Sequence, residues 1–186
     1  SPASSRGTLV GAPPRIVGTQ GRATDFNGSS QYITTSRRQE IPGGFSAVAW
    51  INVATGFDRV ILSSIYSTDN TILWRVTSNG TQLDFWANTG VAQASASGLP
   101  SFADRWVCAG VSWAPGRATR FYINGVDVGG GTTAGDIQSP ISAWHIGRYG
   151  VPGIWYFDGS MRMVRTWART LPQSDFRRVY VDPYAG

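Results

Sequence analysis

Residues 106–128, WVCAGVSWAPGRATRFYINGVDV, decide the fold. In the first eight, Val107, Ala109, Val111 and Trp113 alternate with Trp106, Cys108, Gly110 and Ser112, which gives an extended chain one heavily apolar face. Pro115-Gly116 reverses the chain, and Phe121-Tyr122-Ile123 is a β-branched and aromatic run. Asn124-Gly125 then supplies the positive φ angles of a two-residue hairpin before Val126-Asp127-Val128. The spacing predicts three antiparallel strands. Such a unit leaves one apolar face wet, so the rest of the chain has to lay a second sheet over it.

Working outward, further strand patterns recur at short intervals. Phe45 to Val53, FSAVAWINV, is apolar on both faces and predicts a strand covered on both sides. Residues 59–66, 71–77 and 81–87 read as a meander with a turn at Asn79-Gly80, and 93–101 as a loop or weak edge strand. Phe26 and Tyr32-Ile33 flank Asn27-Gly28 and predict a hairpin, while Gly129-Gly130-Gly131 opens a flexible loop running to Ile141. Residues 144–148 and 157–167 supply the last strands, joined by YGVPGIWY. Residues 172–180, with Phe176, Val179 and Tyr180 at helical spacing, predict one short helix. Residues 1–20 hold only Leu9-Val10 and Ile16-Val17 as apolar pairs. They are expected to form an extended arm with one short strand, leaving residues 21–186 as a single β-sandwich domain.

Composition agrees with this picture. In 186 residues there are 23 Gly, 10 Pro, 12% aromatics and only 15% charged residues, the signature of many short strands joined by tight turns. Cys108 is the only cysteine and falls mid-strand, so no internal disulfide exists and a buried thiol is expected. No apolar run is long enough to span a bilayer as a helix, and the N-terminus has neither a basic nor an apolar leader region. The net charge of +5 comes from arginine alone, with no lysine. These arginines are dispersed, which points to a solvated surface and away from a nucleic-acid partner.

In their order, ATDFNGSSQYI (23–33), FSAVAWINV (45–53), DRWVCAGVSW (104–113), RFYINGVDV (120–128), HIGR (145–148) and FDGSMRMVRTWARTLPQSDF (157–176) resemble the LamG-like, concanavalin A-like family of laminin G modules, pentraxins and bacterial lectin-like domains. The resemblance implies an all-β fold, a jelly-roll of two curved antiparallel sheets with one short C-terminal helix. The acidic pair that often follows the FDG turn in such domains is Arg162-Met163 here, the histidines that often follow the tryptophan are Val107-Cys108, and the serine that often caps the last helix is Pro172.

Glycosidases on this fold use paired carboxylates, and here the one glutamate is Glu40 and no two acids alternate on a strand. A lyase needs a base with a group to neutralise a uronate, and WHIGRY offers only His145, Arg148 and Tyr149, of which a lone histidine is more often structural. Calcium, the usual ion of the family, would draw on Asp58, Asp69, Asp136 and Asp158, which sit at turns without a compact D-x-D run. Asn27-Gly-Ser and Asn79-Gly-Thr match glycosylation acceptors, but both coincide with turns that explain them.

A binding surface is better supplied. Trp155 and Tyr156 lie in a Gly- and Pro-rich loop and, with Tyr149, Arg148, Trp144 and Trp86, offer flat faces for a sugar ring. The expected function is therefore a non-catalytic module that recognises glycan or protein on a cell or virion exterior. The competing expectation is a structural virion protein, such as a phage capsid decoration or tail component, with the N-terminal arm as the route to a homo-oligomer or to capsid or tail assembly.

Overall fold

The computed structural model describes residues 8–13, 15–18, 21–36, 39–56, 58–66, 69–87, 93–132, 137, 140–141, 143–150 and 154–184, with backbone alone at 15–18, 21, 65–66, 69–71 and 132. The strands in chain order are β1 (Thr8–Val10), β2 (Arg15–Gly18), β3 (Gly21–Asn27), β4 (Tyr32–Thr35), β5 (Phe45–Val53), β6 (Arg59–Tyr66), β7 (Asp69–Thr77), β8 (Gln82–Ala87), β9 (Gln93–Ala96), β10 (Trp106–Trp113), β11 (Ala118–Ile123), β12 (Val126–Thr132), β13 (Ala143–Ile146) and β14 (Asp158–Trp167). Helix α1 spans Gln173–Val181. Two antiparallel sheets result: a first in the order β1-β4-β13-β6-β7-β8-β9, and a second in the order β12-β11-β10-β5-β14-β3-β2. This is the expected all-β jelly-roll sandwich.

Residues 106–128 fold as their pattern dictates. β10 pairs with β11 and β11 with β12, and the turn between the last two takes φ of 52° at Asn124 and 76° at Gly125. Val107, Ala109, Val111 and Trp113 face the inter-sheet core with Phe45, Ile51, Trp74 and Phe85. The alternate residues of β10 and β5, including Cys108, Val48 and Trp50, form a second apolar layer under α1. Phe176 of α1 stacks on Tyr122 at 3.8 Å between ring centroids. It sits over Gly110, where a Cβ would come within 2.6 Å of the Phe176 ring. Glycine in this strand is thus the socket for the helix.

Three expectations are corrected and one alternative is decided. Asn27-Gly28 does not close a hairpin, because β3 and β4 belong to different sheets. Asn27 Oδ1 accepts the amides of Ser29 and Ser30 at 3.1 and 3.0 Å, and this Asx turn carries the chain across the sandwich edge. The Gly129–Gly131 run is not loop but part of β12, with a bulge opposite Phe121 and Tyr122. A Cβ on Gly130 would run into the Thr119 carbonyl, so glycine permits the close backbone approach. Of the two readings of residues 93–101, residues 93–96 take the edge strand, paired with β8. The N-terminal segment is folded back: β1 pairs with β4 at one sheet edge and β2 with β3 at the other, where their backbone groups find partners within the chain. Residues 1–7 of the expected arm lie outside the described residues.

Candidate functional site

Strand alternation builds the site. Ile33, Trp144, Leu62, Ile72, Trp74, Phe85 and Ala94 point into or pack against the core, so their neighbours must point outward from the first sheet. Cross-strand register then aligns Thr34, His145, Ser63, Leu73, Trp86 and Gln93 in one transverse row. A second row holds Val60, Arg75, Asp84 and Ser95.

Arg75 organises the second row. Its Nε donates to Asp84 Oδ2 at 3.1 Å, with Nη2 at the same ion-pair distance from that oxygen, and its Nη1 donates to Asp58 Oδ1 at 2.7 Å. Asp84 is 1% exposed, and its other oxygen accepts from Gln82 Nε2 at 2.7 Å and Ser95 Oγ at 2.8 Å. A buried carboxylate persists only when so satisfied. The guanidinium carbon lies 4.9 Å from the ring centroids of both Trp86 and Trp155, so Arg75 is held between two indoles.

The segment after β13 lays Trp155 there. Gly147 turns at φ 87°, donates to Ile61 O at 3.2 Å and accepts from Phe157 N at 2.8 Å. Tyr149 N donates to Ile154 O, and Val60 N donates to Trp155 O. Arg59 holds the descending limb through Asp158 at 3.2 Å. Tyr149 stacks on Trp155 with centroids 5.2 Å apart. Tyr156 turns the other way, toward Tyr32 at 6.4 Å.

Beside Tyr32 lies a second cation. The Arg148 guanidinium rests 3.8 Å above the Tyr32 ring, and its Nε donates to His145 Nδ1 at 3.3 Å. Ser63 Oγ donates to the Arg148 carbonyl at 2.9 Å and fixes the backbone at this point. Burial first, and the Arg148 charge second, hold His145 down to about 4. The imidazole is thus neutral at pH 7, with Nδ1 as acceptor.

Of the residues singled out from sequence, Trp155, Tyr156, Tyr149 and Arg148 converge here, each half-buried, together with Trp86. Trp155 is not free-standing as expected, because Arg75, Trp86 and Tyr149 surround its ring. Trp144 is not a platform at all: it is 5% exposed and stacks on Phe45 within the core, since its strand neighbour His145 takes the outward position. Arg75, Asp84 and Tyr32 were missed. Alternation could have placed Arg75 opposite Ile72, Trp74 and Val76, but only the folded loop reveals what it holds.

The calcium candidates divide. Asp58 and Asp158 are ion-paired to Arg75 and Arg59, while Asp136 and the Asp69 side chain lie outside the described residues. No three His, Cys, Asp or Glu side chains converge among the described residues. The carboxylates that are described do not fit a calcium centre, which needs several uncommitted oxygens. No helix among the described residues is long and apolar enough to cross a membrane.

Residues 27–176 match the family model described as the concanavalin A-like lectin/glucanases superfamily. Among functionally curated proteins no match is found. Several solved structures share the fold. Domain 4 of an extracellular arabinanase from Geobacillus stearothermophilus, in complex with arabinotriose, superposes with a TM-score of 0.71 at 16% identity, covering 94% of this chain and 87% of that one. A heptameric pentraxin from Limulus polyphemus gives 0.69 at 17% identity, with coverages of 85% and 81%. The binding domain of a botulinum neurotoxin, in complex with SialylT, gives 0.73 at 10% identity; this chain, 97% covered, spans 47% of it.

Proposed function

Since the chain belongs to the concanavalin A-like lectin/glucanase superfamily, we propose that it is a non-catalytic glycan-binding module whose ligand lies on the outer face of the first sheet. The observation that carries this reading is the line of half-buried rings, Trp86, Trp155, Tyr149, Tyr156 and Tyr32, propped from beneath by the Arg75 ion-pair network. A sugar ring presents apolar C–H faces with hydroxyls at its rim, and fixed ring faces beside polar groups complement both. Rings already held in place lose little freedom on binding. The similar fold of an arabinanase domain seen with arabinotriose and of a toxin domain seen with SialylT agrees with this use.

The acids near the platform support a binding role. Asp58 and Asp84 are tied to Arg75 and Asp158 to Arg59, whereas a glycosidase needs two carboxyl groups facing one open bond. A presence outside the cell follows from this reading. Assembly through the N-terminal arm has no support in β1 and β2, which pair within their own sheets.

Affinity gel electrophoresis against soluble polysaccharides tests the proposal. Retardation by at least one glycan is expected, and Trp155→Ala should weaken it by about 1 to 3 kcal/mol. A wild-type protein unretarded across neutral and acidic glycans would sink the reading.

A further inference from the structure

The three arginines of this face are not equivalent. Arg75 faces two carboxylates and Arg59 one. Among the described residues, no carboxylate lies within ion-pairing distance of Arg148. It is nevertheless held in place: Nε on His145 Nδ1, guanidinium plane over Tyr32, and main chain fixed by Ser63. A neutral imidazole offers a lone pair but no counter-charge, so this contact orients the cation without neutralising it.

Resting on the glycan-binding reading, we propose that the ligand is an acidic glycan and that Arg148 selects it by binding a sugar carboxylate. With Nε committed, the two terminal nitrogens have no hydrogen-bond partner among the described residues and form a planar pair of donors, the fork that fits a carboxylate through two parallel hydrogen bonds. The Tyr32 ring, 3.8 Å from the guanidinium carbon, supports the cation from one side. Tyr156, 6.4 Å from Tyr32, sets a second ring beside the one that carries the cation, so a uronic acid residue can meet a ring with its C–H face and Arg148 with its carboxylate. Being half-buried, the contact is less screened by salt than one on an open surface.

Calorimetric titration of the purified chain with oligogalacturonate and with the same oligomer fully methyl-esterified separates charge from sugar. The acid form is expected to bind about tenfold more tightly or better. Arg148→Gln should bring its affinity down to that of the ester, and Arg148→Lys should restore only part of the difference because it lacks the planar fork. A thermal transition close to wild type shows that each variant is folded. Equal affinity for acid and ester overturns the selectivity while leaving glycan binding in place. Preference for a sulfated oligosaccharide over the uronide likewise rejects the carboxylate. Absence of binding to acid, ester, sulfated and neutral arabinan oligomers overturns the glycan reading and this inference with it.

Discussion

The outer face of the second sheet is closed by a helix, and that of the first by a loop; the same covering problem is met with opposite chemistry. Phe176 and Val179 of α1, with Leu171 just before it, pack with Val48, Cys108 and Tyr122 in an apolar cluster, bordered by the hydrogen-bonded hydroxyls of Ser46 and Ser112 and by Arg162 over Trp50. In the loop, Trp155, stacked on Tyr149, lies against the Arg75 guanidinium, which is ion-paired to Asp58 and Asp84, and Asp84 in turn accepts from Gln82 and Ser95. An apolar cover contributes by area removed from water and is difficult to reopen. A cover of rings over ion pairs contributes less net stability, because desolvation offsets the Coulomb gain, but it presents oriented polar and aromatic groups to solvent. On the function proposed above, the helix face of the second sheet stays shut and the loop face of the first sheet meets the ligand.

Truncating the helix anchor should give the largest effect. Phe176 is 2% exposed and stacked on Tyr122. Phe176→Ala is expected to destabilise by about 3 kcal/mol, as deletion of a buried aromatic ring does. In a chain of this size that is roughly 10 °C in thermal midpoint. Trp155→Ala, at a half-buried position, should cost well under half as much. A larger loss from Trp155 than from Phe176 would reverse the comparison.

Titration sharpens the contrast further. His145 under the loop face is held down to about 4, whereas the unfolded chain titrates near 6.5. Between those values the unfolded state binds the extra proton. The contribution is therefore fully present above about pH 6.5 and is lost as pH falls through about 4. Wild-type protein should lose on the order of 2 kcal/mol more than His145→Gln between pH 7 and pH 4, as read from denaturant midpoints. On the helix face, burial pushes the Cys108 thiol up to about 12, out of that window. Phe176→Ala should keep the wild-type pH slope, and parallel curves for His145→Gln and wild type would remove the distinction.

The two faces also differ in how far the sequence discloses them. The helix face is written in local periodicity: alternation in β10 and β5 exposes a second apolar stripe, and Phe176 with Val179 marks the helical side that seeks it. Even the socket, Gly110, stands in the strand pattern. The loop face depends on residues far apart in the chain, with Arg75 and Asp84 placed by sheet register and Trp155 by a loop with its own turn geometry. Arginine and aspartate on a strand read as solvated surface, and no local pattern says that a tryptophan from the far end of the chain will lie on them. Trp144 failed for the complementary reason. In the short strand AWHI, alternation fixes that Trp144 and His145 point oppositely but not which points inward.

The smallest expected effect concerns the backbone that holds the loop. Trp155 has φ 55°, in the left-handed region that costs an ordinary residue roughly 1 kcal/mol and glycine almost nothing. Trp155→Ala and Trp155→Gly both delete the indole over Arg75, so the lost ring contact cancels in their difference. What remains is two opposed terms: glycine gains more freedom in the unfolded chain, which disfavours it, and relieves the strain, which favours it. At α1 no such relief exists, so at exposed Arg177 glycine should be the less stable choice than alanine by about 1 kcal/mol. At Trp155 the order should close up or invert, with the glycine variant equal to or about 0.5 kcal/mol above the alanine variant. If glycine trails alanine at Trp155 by as much as at Arg177, the loop is not fixed in this conformation, and its rings are arranged by the ligand instead of awaiting it.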